Sequence, residues 1–229
     1  MKNLIAISIF TLMSFNAFAN DNAKRLTELL INEDIAVFKT DGESIIGEKI
    51  PTVSVSALNE EFSNDLINYE KTYDQKLVNI IAEASDVKTD LNGNPYIIAS
   101  DEDPSEFVVI KLKNKDDMQS IIKGSELDLI CLGIKDNKFP SLENCVTTDS
   151  YLQNFLERIM NNISQLKEGD VPKDFFEAIY LSFKEFDIQN PNRLDEKKLE
   201  NNPDDMNAII KIVTDSIKDD AKQFTMPHP

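Results

Sequence analysis

The chain has 229 residues, with 24 Lys and Arg against 41 Asp and Glu, a formal net charge of −17. That balance disfavours nucleic acid and anionic membrane surfaces as partners, because sequence-independent affinity for phosphate comes from Lys and Arg displacing counterions; a basic protein or a cation would be attracted. One His and two Cys are too few to close a tetrahedral metal site, and six Gly argue against Gly-rich phosphate loops, whereas 41% hydrophobic residues with 13 Phe suffice for a core.

At the N-terminus, Lys2 supplies a positive region, Leu4 to Phe15 an apolar run broken by Ser8, Thr11 and Ser14, and Ala17-Phe18-Ala19 a small-x-small site. This is the pattern of a secretory signal peptide over residues 1–19, cleaved after Ala19; the apolar run is shorter than the roughly 20 residues that span a bilayer. The expected product is a periplasmic or secreted protein with no membrane span. No Cys follows the cleavage site to carry a lipid, and loss of Lys2 takes the net charge to −18. The acidity would also keep an exported chain soluble.

Residues 20–54 read as an N-terminal helical segment, with Leu26, Leu29, Leu30 and Val37 at near-helical spacing, followed by a Gly- and Pro-containing break in "TDGESIIGEKIPTVS". From Ser56, an expected N-cap, Leu58, Phe62, Leu66, Tyr69 and Tyr73 recur at steps of three and four, predicting one further helix. The texture then changes. "KLVNIIAEASDVK", "YIIAS" and "EFVVIKL" read as three strands, the first two joined by a turn at Asn92-Gly93. "NKDDMQSIIKG" gives one or two helical turns with Gly124 at the C-terminal cap, and "ELDLICLGI" and "PSLENCVTT" are two more strands. From Asp149 the helical period returns. Leu152, Phe155, Leu156, Ile159, Met160, Ile163 and Leu166 form one stripe, and Phe175, Phe176, Ile179, Tyr180, Phe183 and Phe186 a second. Asn202, Pro203, Asp204 and Asp205 open a last helix carrying Met206, Ile209, Ile210, Val213 and Ile217.

Five strands with a short helix between the third and fourth follow the order of the OB-fold, a small Greek-key barrel. Asn68, Tyr73 and Lys76 in "NYEKTYDQK", the strand "LVNIIAEASDV", Gly124, and the C-x-G…L-x-x-C pattern of Cys131, Gly133, Leu142 and Cys145 resemble the tRNA-anti-like OB-fold family. The resemblance covers about residues 55–148 and implies a helix leading into a barrel, in a family largely of exported bacterial proteins and lipoproteins; it implies a fold and not an activity. Where that family tends to place a Gly in the first strand, this chain has Ala84-Ser85, so the strand must bend by another device such as a bulge. The resulting expectation is an α+β chain with an OB-fold domain at 55–148 and a C-terminal all-helical domain at 149–229, to which the resemblance does not extend.

Cys131 and Cys145 lack the spacing of a redox C-x-x-C motif, and the single His, His228, lies too near the C-terminus to serve as the base for a Cys or Ser nucleophile. Export, and the hairpin they flank, make them an expected disulfide, worth about 3 kcal/mol for a loop of this length. One conflict stands: simple alternation places Cys131 with Leu127 and Leu129, but Cys145 with Glu143 and Thr147, so a bulge or an edge position is needed. Asp187, Asn190, Asn192 and Asp195 depart from a calcium loop, whose twelfth position would be Lys198 rather than Glu. No catalytic residue, metal or cofactor is expected. The expected function is non-enzymatic binding of a protein or envelope component through the barrel's strand face and loops, with Tyr96, Phe107 and Phe139 as the candidate binding aromatics, each equally compatible with a place in the core. The alternatives are an immunity or inhibitor protein that neutralises a basic partner, and a carboxylate-dependent hydrolase of envelope polymers.

Overall fold

The computed structural model describes residues 16–40, 50–101, 103, 105–135, 138–167, 169–191, 193–194 and 202–217, with side chains from residue 22. The apolar run of the expected signal peptide, Leu4 to Phe15, the "DGESIIGEK" part of the N-terminal break, Asn192, Asp195, Lys198 and His228 lie outside the described residues. The chain divides into two compact units, one over residues 46–155 and one combining residues 1–45 with 156–227. The expected segment 20–54 is therefore split between them.

The first unit begins with a two-residue strand, β1 (Thr52–Val53), that the sequence pattern does not announce, and two helices, α2 (Val55–Asn64) and α3 (Leu66–Tyr73). A single helix was expected here. Asp65, with φ −151°, interrupts it, and its carboxylate accepts from Asn68 N–H to cap α3. Ser54 rather than Ser56 caps α2, accepting from Ala57 N–H at 3.1 Å. The predicted stripe survives the break, since Leu58, Tyr69 and Tyr73 are buried and Phe62 and Leu66 pack on them.

Five strands follow: β2 (Leu77–Thr89), β3 (Pro95–Ser100), β4 (Phe107–Leu112), β5 (Glu126–Ile134) and β6 (Ser141–Thr147), with a 3-10 turn at Lys115–Ser120. The order β2-β3-β4-β6-β5 is closed by β2 pairing β5, making a barrel of OB type. β2 belongs to both sides: residues 77–83 pair with β5 and 83–89 with β3, and the register slips between Ala84 and Asp86. That bulge supplies the bend for which the family's Gly is absent. Gly124, expected to cap the helical turns, instead adopts φ +86° in the turn into β5, and its N–H donates to Ala84 O at 2.7 Å, pinning the bulge. Ile80, Ile97, Val108, Ile110, Leu129 and Leu142 fill the interior.

The hairpin of β5 and β6 carries the disulfide between Cys131 and Cys145, Cα–Cα 4.1 Å, both sulfurs shielded from solvent. Register passes from Ile130↔Val146 to Leu132↔Glu143, so β6 holds one extra residue, and Asn144 takes φ +53°. This bulge brings Leu142 and Cys145, three apart, onto the same interior face and resolves the alternation conflict. Nearby, Gly133 lies so close to α3 that a Cβ would stand 2.3 Å from Tyr73 O. Gln75 N–H donates to Gly133 O and Gly133 N–H to Lys76 O, each at 2.9 Å.

In the second unit α1 (Asn16–Lys39) and α6 (Pro203–Ile217) each pack against α5 (Phe175–Gln189). α4 (Thr148–Gln165) passes from the first unit into the second. The buried stripe of α1 is Ala23, Leu26, Thr27 and Ile31, whereas Leu29 and Val37 face solvent, contrary to expectation. The predicted stripes of α4 and α5 are buried, apart from the partly exposed Leu166, and Ile209, Val213 and Ile217 form the inner face of α6.

Gly133→Ala should lower stability by about 1–3 kcal/mol, because the backbone of α3 must move to admit the methyl group; an unchanged urea midpoint would show that the approach is looser. The Cys131→Ala, Cys145→Ala double variant should lose about 3 kcal/mol relative to the oxidised protein, and wild type unfolded in reductant should fall to the same level.

Candidate functional site

β3 and β4 are buried on the barrel side through Ile97, Ala99, Val108 and Ile110. A strand exposes alternate residues on opposite faces, so the outer face of this pair carries Tyr96, Ile98, Phe107, Val109 and Lys111. Apart from Ser100 and Lys111 at its ends, this face does not switch to polar residues, as an ordinary solvated face does. Ile98 pairs with Val109 across the strands, and Val109 pairs in parallel with Ser141 of β6. The loop before β6 lays Phe139 against Phe107, ring centroids 5.9 Å apart and tilted by 44°. Asn59 of α2 donates to Phe107 O at 3.2 Å, fixing that end of β4.

These residues line a cleft of about 450 Å³ together with Asp90, Ile134, Leu142 and Glu143. The volume is within the usual range for small-ligand sites. Tyr96, Phe107 and Phe139, from three separate elements, are thus brought together on one surface, each partly exposed. Sequence alternation alone puts Tyr96 with Ile98 and Phe107 with Val109, each pair on one face of its strand, without deciding which face is the core. It cannot bring in Ile134 or Glu143, which enter through the β5–β6 hairpin and its bulge.

The charges of the cleft are mixed. Lys111 Nζ lies 2.7 Å from Glu143 Oε1, in a half-exposed pair. Asp90 sits in the β2–β3 turn, where its Oδ1 accepts from Asn92 and Asn94 N–H, both at 2.8 Å, and its Oδ2 from the Asn94 side chain. The Asn94 backbone bond foremost, then the Asn94 side chain and Asn92, hold the Asp90 carboxyl below its usual range. It is therefore ionised at neutral pH.

At the Ser100 end of the same strand pair lies a second cleft of about 790 Å³, lined by Ser56, Glu83, Ser100, Asp101 and Asp103. Ser56 N–H and Oγ–H donate to Asp101 Oδ2 at 2.9 and 2.8 Å, and Ser105 N–H and Oγ–H to Asp103 Oδ1 at 2.8 and 2.7 Å. The bonds from the Ser105 side chain and backbone hold the Asp103 carboxyl below its ordinary range.

The helical unit has a cleft of about 570 Å³ that includes the buried carboxylates Asp174 and Glu177. Both are engaged with the start of α5: Asp174, the N-cap, accepts from Glu177 N–H at 2.9 Å, and Glu177 reaches back to accept from Lys173 N–H, just before the cap, at 2.7 Å. In the same helix Asp187 is buried, which raises its carboxyl above the ordinary range, and Asn190 Nδ2 donates to Phe186 O. Among the described residues no group of three or more His, Cys, Asp or Glu is placed to hold a metal ion, and no helix is long and apolar enough to cross a membrane.

Because the Lys111–Glu143 pair is half-exposed, it should contribute little to stability. Lys111→Met should shift the unfolding free energy by less than about 1 kcal/mol, measured by urea titration; a larger loss would give Lys111 a role in holding the barrel.

A family model described as tRNA_anti-like matches residues 2–139, more than half of the chain. Among solved structures, the chain is similar to a candidate nucleic acid-binding lipoprotein from Klebsiella pneumoniae subsp. pneumoniae, at 18% identity over 42% of this chain and 90% of that one, with a TM-score of 0.36. No curated protein matches it.

Proposed function

The chain belongs to the tRNA_anti-like family, and from that premise we propose that it is an exported, non-enzymatic binding protein whose ligand site is the outer groove of β3, β4 and β6. The observation that carries the reading is the apolar outer face itself. Tyr96, Ile98, Phe107, Val109, Ile134 and Phe139 line one cleft on a barrel whose interior is already filled. All but the buried Val109 are partly exposed; apolar surface left accessible beside a complete core is a feature of interaction sites, and an OB barrel offers ligands this strand face and its flanking loops.

Export is supported by the leader pattern at residues 1–19 and by the disulfide, a bond that persists in oxidising compartments. The ligand in this reading is not a nucleic acid. Single-strand binding by OB folds needs a positive groove beneath its stacking aromatics, whereas Lys111 is paired with Glu143, and Asp90 adds a further negative charge. Hydrolysis is not invoked, because Asp174 and Glu177, two of the three buried carboxylates among the described residues of the helical unit, are engaged in capping α5, and the third, Asp187, lies near the far end of that helix and outside their cleft.

The test is a titration of the full chain with indole, followed through the methyl resonances of Ile98, Val109 and Ile134. Saturable shifts at these three residues are expected, lost in a Phe107→Ala, Phe139→Ala variant whose melting curve is otherwise little changed. Shifts confined to the Asp174–Glu177 cleft, or none at all, would remove the groove as the site.

A further inference from the structure

The apolar groove and the acidic cleft are neighbours on one pair of strands. Phe107 lines the first and Ser100 the second, and these two residues are register partners in β3 and β4. Along β3 the positions 96, 98 and 100 share a face, so the surface turns from aromatic at Tyr96 to acidic beyond Ser100 within about 13 Å, four residues of strand rise. That is the reach of a short extended segment with side chains of two kinds.

The charges select the second kind. Glu83, Asp101 and Asp103 line the acidic cleft without a Lys or Arg among its lining residues. Asp101 and Asp103 are fixed by serine donors, so their charge is preorganised rather than spread over mobile side chains. The whole unit pulls the same way, with 20 acidic and 10 basic residues over 46–155. Such a field draws in a basic partner and opposes an anionic one. It also opposes a second copy of this chain, since pairing the same face with itself would bring these carboxylates together.

We propose that this face docks an extended basic segment of another protein, with an apolar side chain seated between Tyr96, Phe107 and Phe139 and a Lys or Arg lying over Glu83, Asp101 and Asp103. The inference rests on the groove reading above and names its partner. Recognition runs through side chains, because β3 and β4 are already paired on both sides within the closed barrel and offer no free edge for strand addition.

The experiment measures fluorescence anisotropy of labelled probes of about ten units, long enough to span the face, on the full chain. The probes are an alternating leucine–lysine peptide, a leucine–glutamate peptide, a glycine–lysine peptide and an oligothymidylate. The leucine–lysine peptide should bind at least about tenfold tighter than any other, and weaken severalfold as added salt screens the charges. Its binding should drop about fivefold both in Phe107→Ala and in a Glu83→Gln, Asp103→Asn variant. Equal binding of the glycine–lysine peptide would remove the apolar anchor, and equal binding of the leucine–glutamate peptide or the oligonucleotide would remove the basic partner; either result overturns the proposal. If indole maps to the groove while the leucine–lysine peptide does not bind, the partner assignment alone fails. If indole fails to map there, both readings fall.

Discussion

Every strand of the closed barrel has two neighbours, and the closure turns on β2, which meets its two in succession along its length. Its first half pairs with β5 and its second with β3, and the change of partner happens at one bulge, between Ala84 and Asp86. A bulge adds an unpaired residue and sharpens the local twist, and here Gly124 N–H closes on Ala84 O from the turn before β5. The bend is thereby held from outside the strand. Once β2 is folded over, the inward residues of all five strands meet as one core, and the outward residues of β3, β4 and β6 line the groove, with Val109 buried at its floor and Ile98 and Phe107 partly exposed. That the partly exposed Ile98 and Phe107 remain apolar there is then a property of the surface.

The second bulge, at Asn144, has a different consequence. It turns Cys145 inward to meet Cys131 and leaves Glu143 on the outer face, where it pairs with Lys111. Strict alternation would have separated the cysteines, since residue 145 shares parity with 143 and 147. One extra residue in β6 therefore serves the covalent closure of the hairpin and also the charge pattern of the groove. The left-handed φ of Asn144 is the local cost, at a residue type that tolerates that region better than most.

How much of this was legible follows from the range of each cause. The five strands, their order and the turn at Asn92-Gly93 rest on alternation and turn residues within a few positions, and these could be read along the chain. The aromatics are legible only in part: plain alternation sets Tyr96 and Phe107 opposite Ile97 and Val108, but with both faces apolar it does not say which one is the core. The break at Asp65 could not be read, because Leu58, Phe62, Leu66, Tyr69 and Tyr73 keep their spacing across it, and periodicity does not register a capped interruption that preserves the stripe. The inner face of α1 does not follow its leucines, since Ala23 and Thr27 are buried where Leu29 is exposed, and which side of a helix is buried depends on α5, more than 130 residues later in the chain. β1 is two residues long and owes its existence to the edge of β2. The Lys111–Glu143 pair depends on a bulge and on parallel pairing of β4 with β6, neither of which leaves a local mark.

The charge of the chain and the apolar groove fit one physical argument. An outward aromatic face lowers solubility and invites non-specific association, and a strong net charge of one sign counters that by keeping like molecules apart. If the acidity served only this purpose it could lie anywhere on the surface. Instead, serine donors hold two of its carboxylates in place beside the end of the groove, and a third is held at Asp90 by the turn that borders it. Fixing a charge costs side-chain freedom, which mere solubility does not require. Directional placement next to apolar contact area is what discrimination between partners requires, because apolar contact supplies affinity with little selectivity while fixed charges reject the wrong sign.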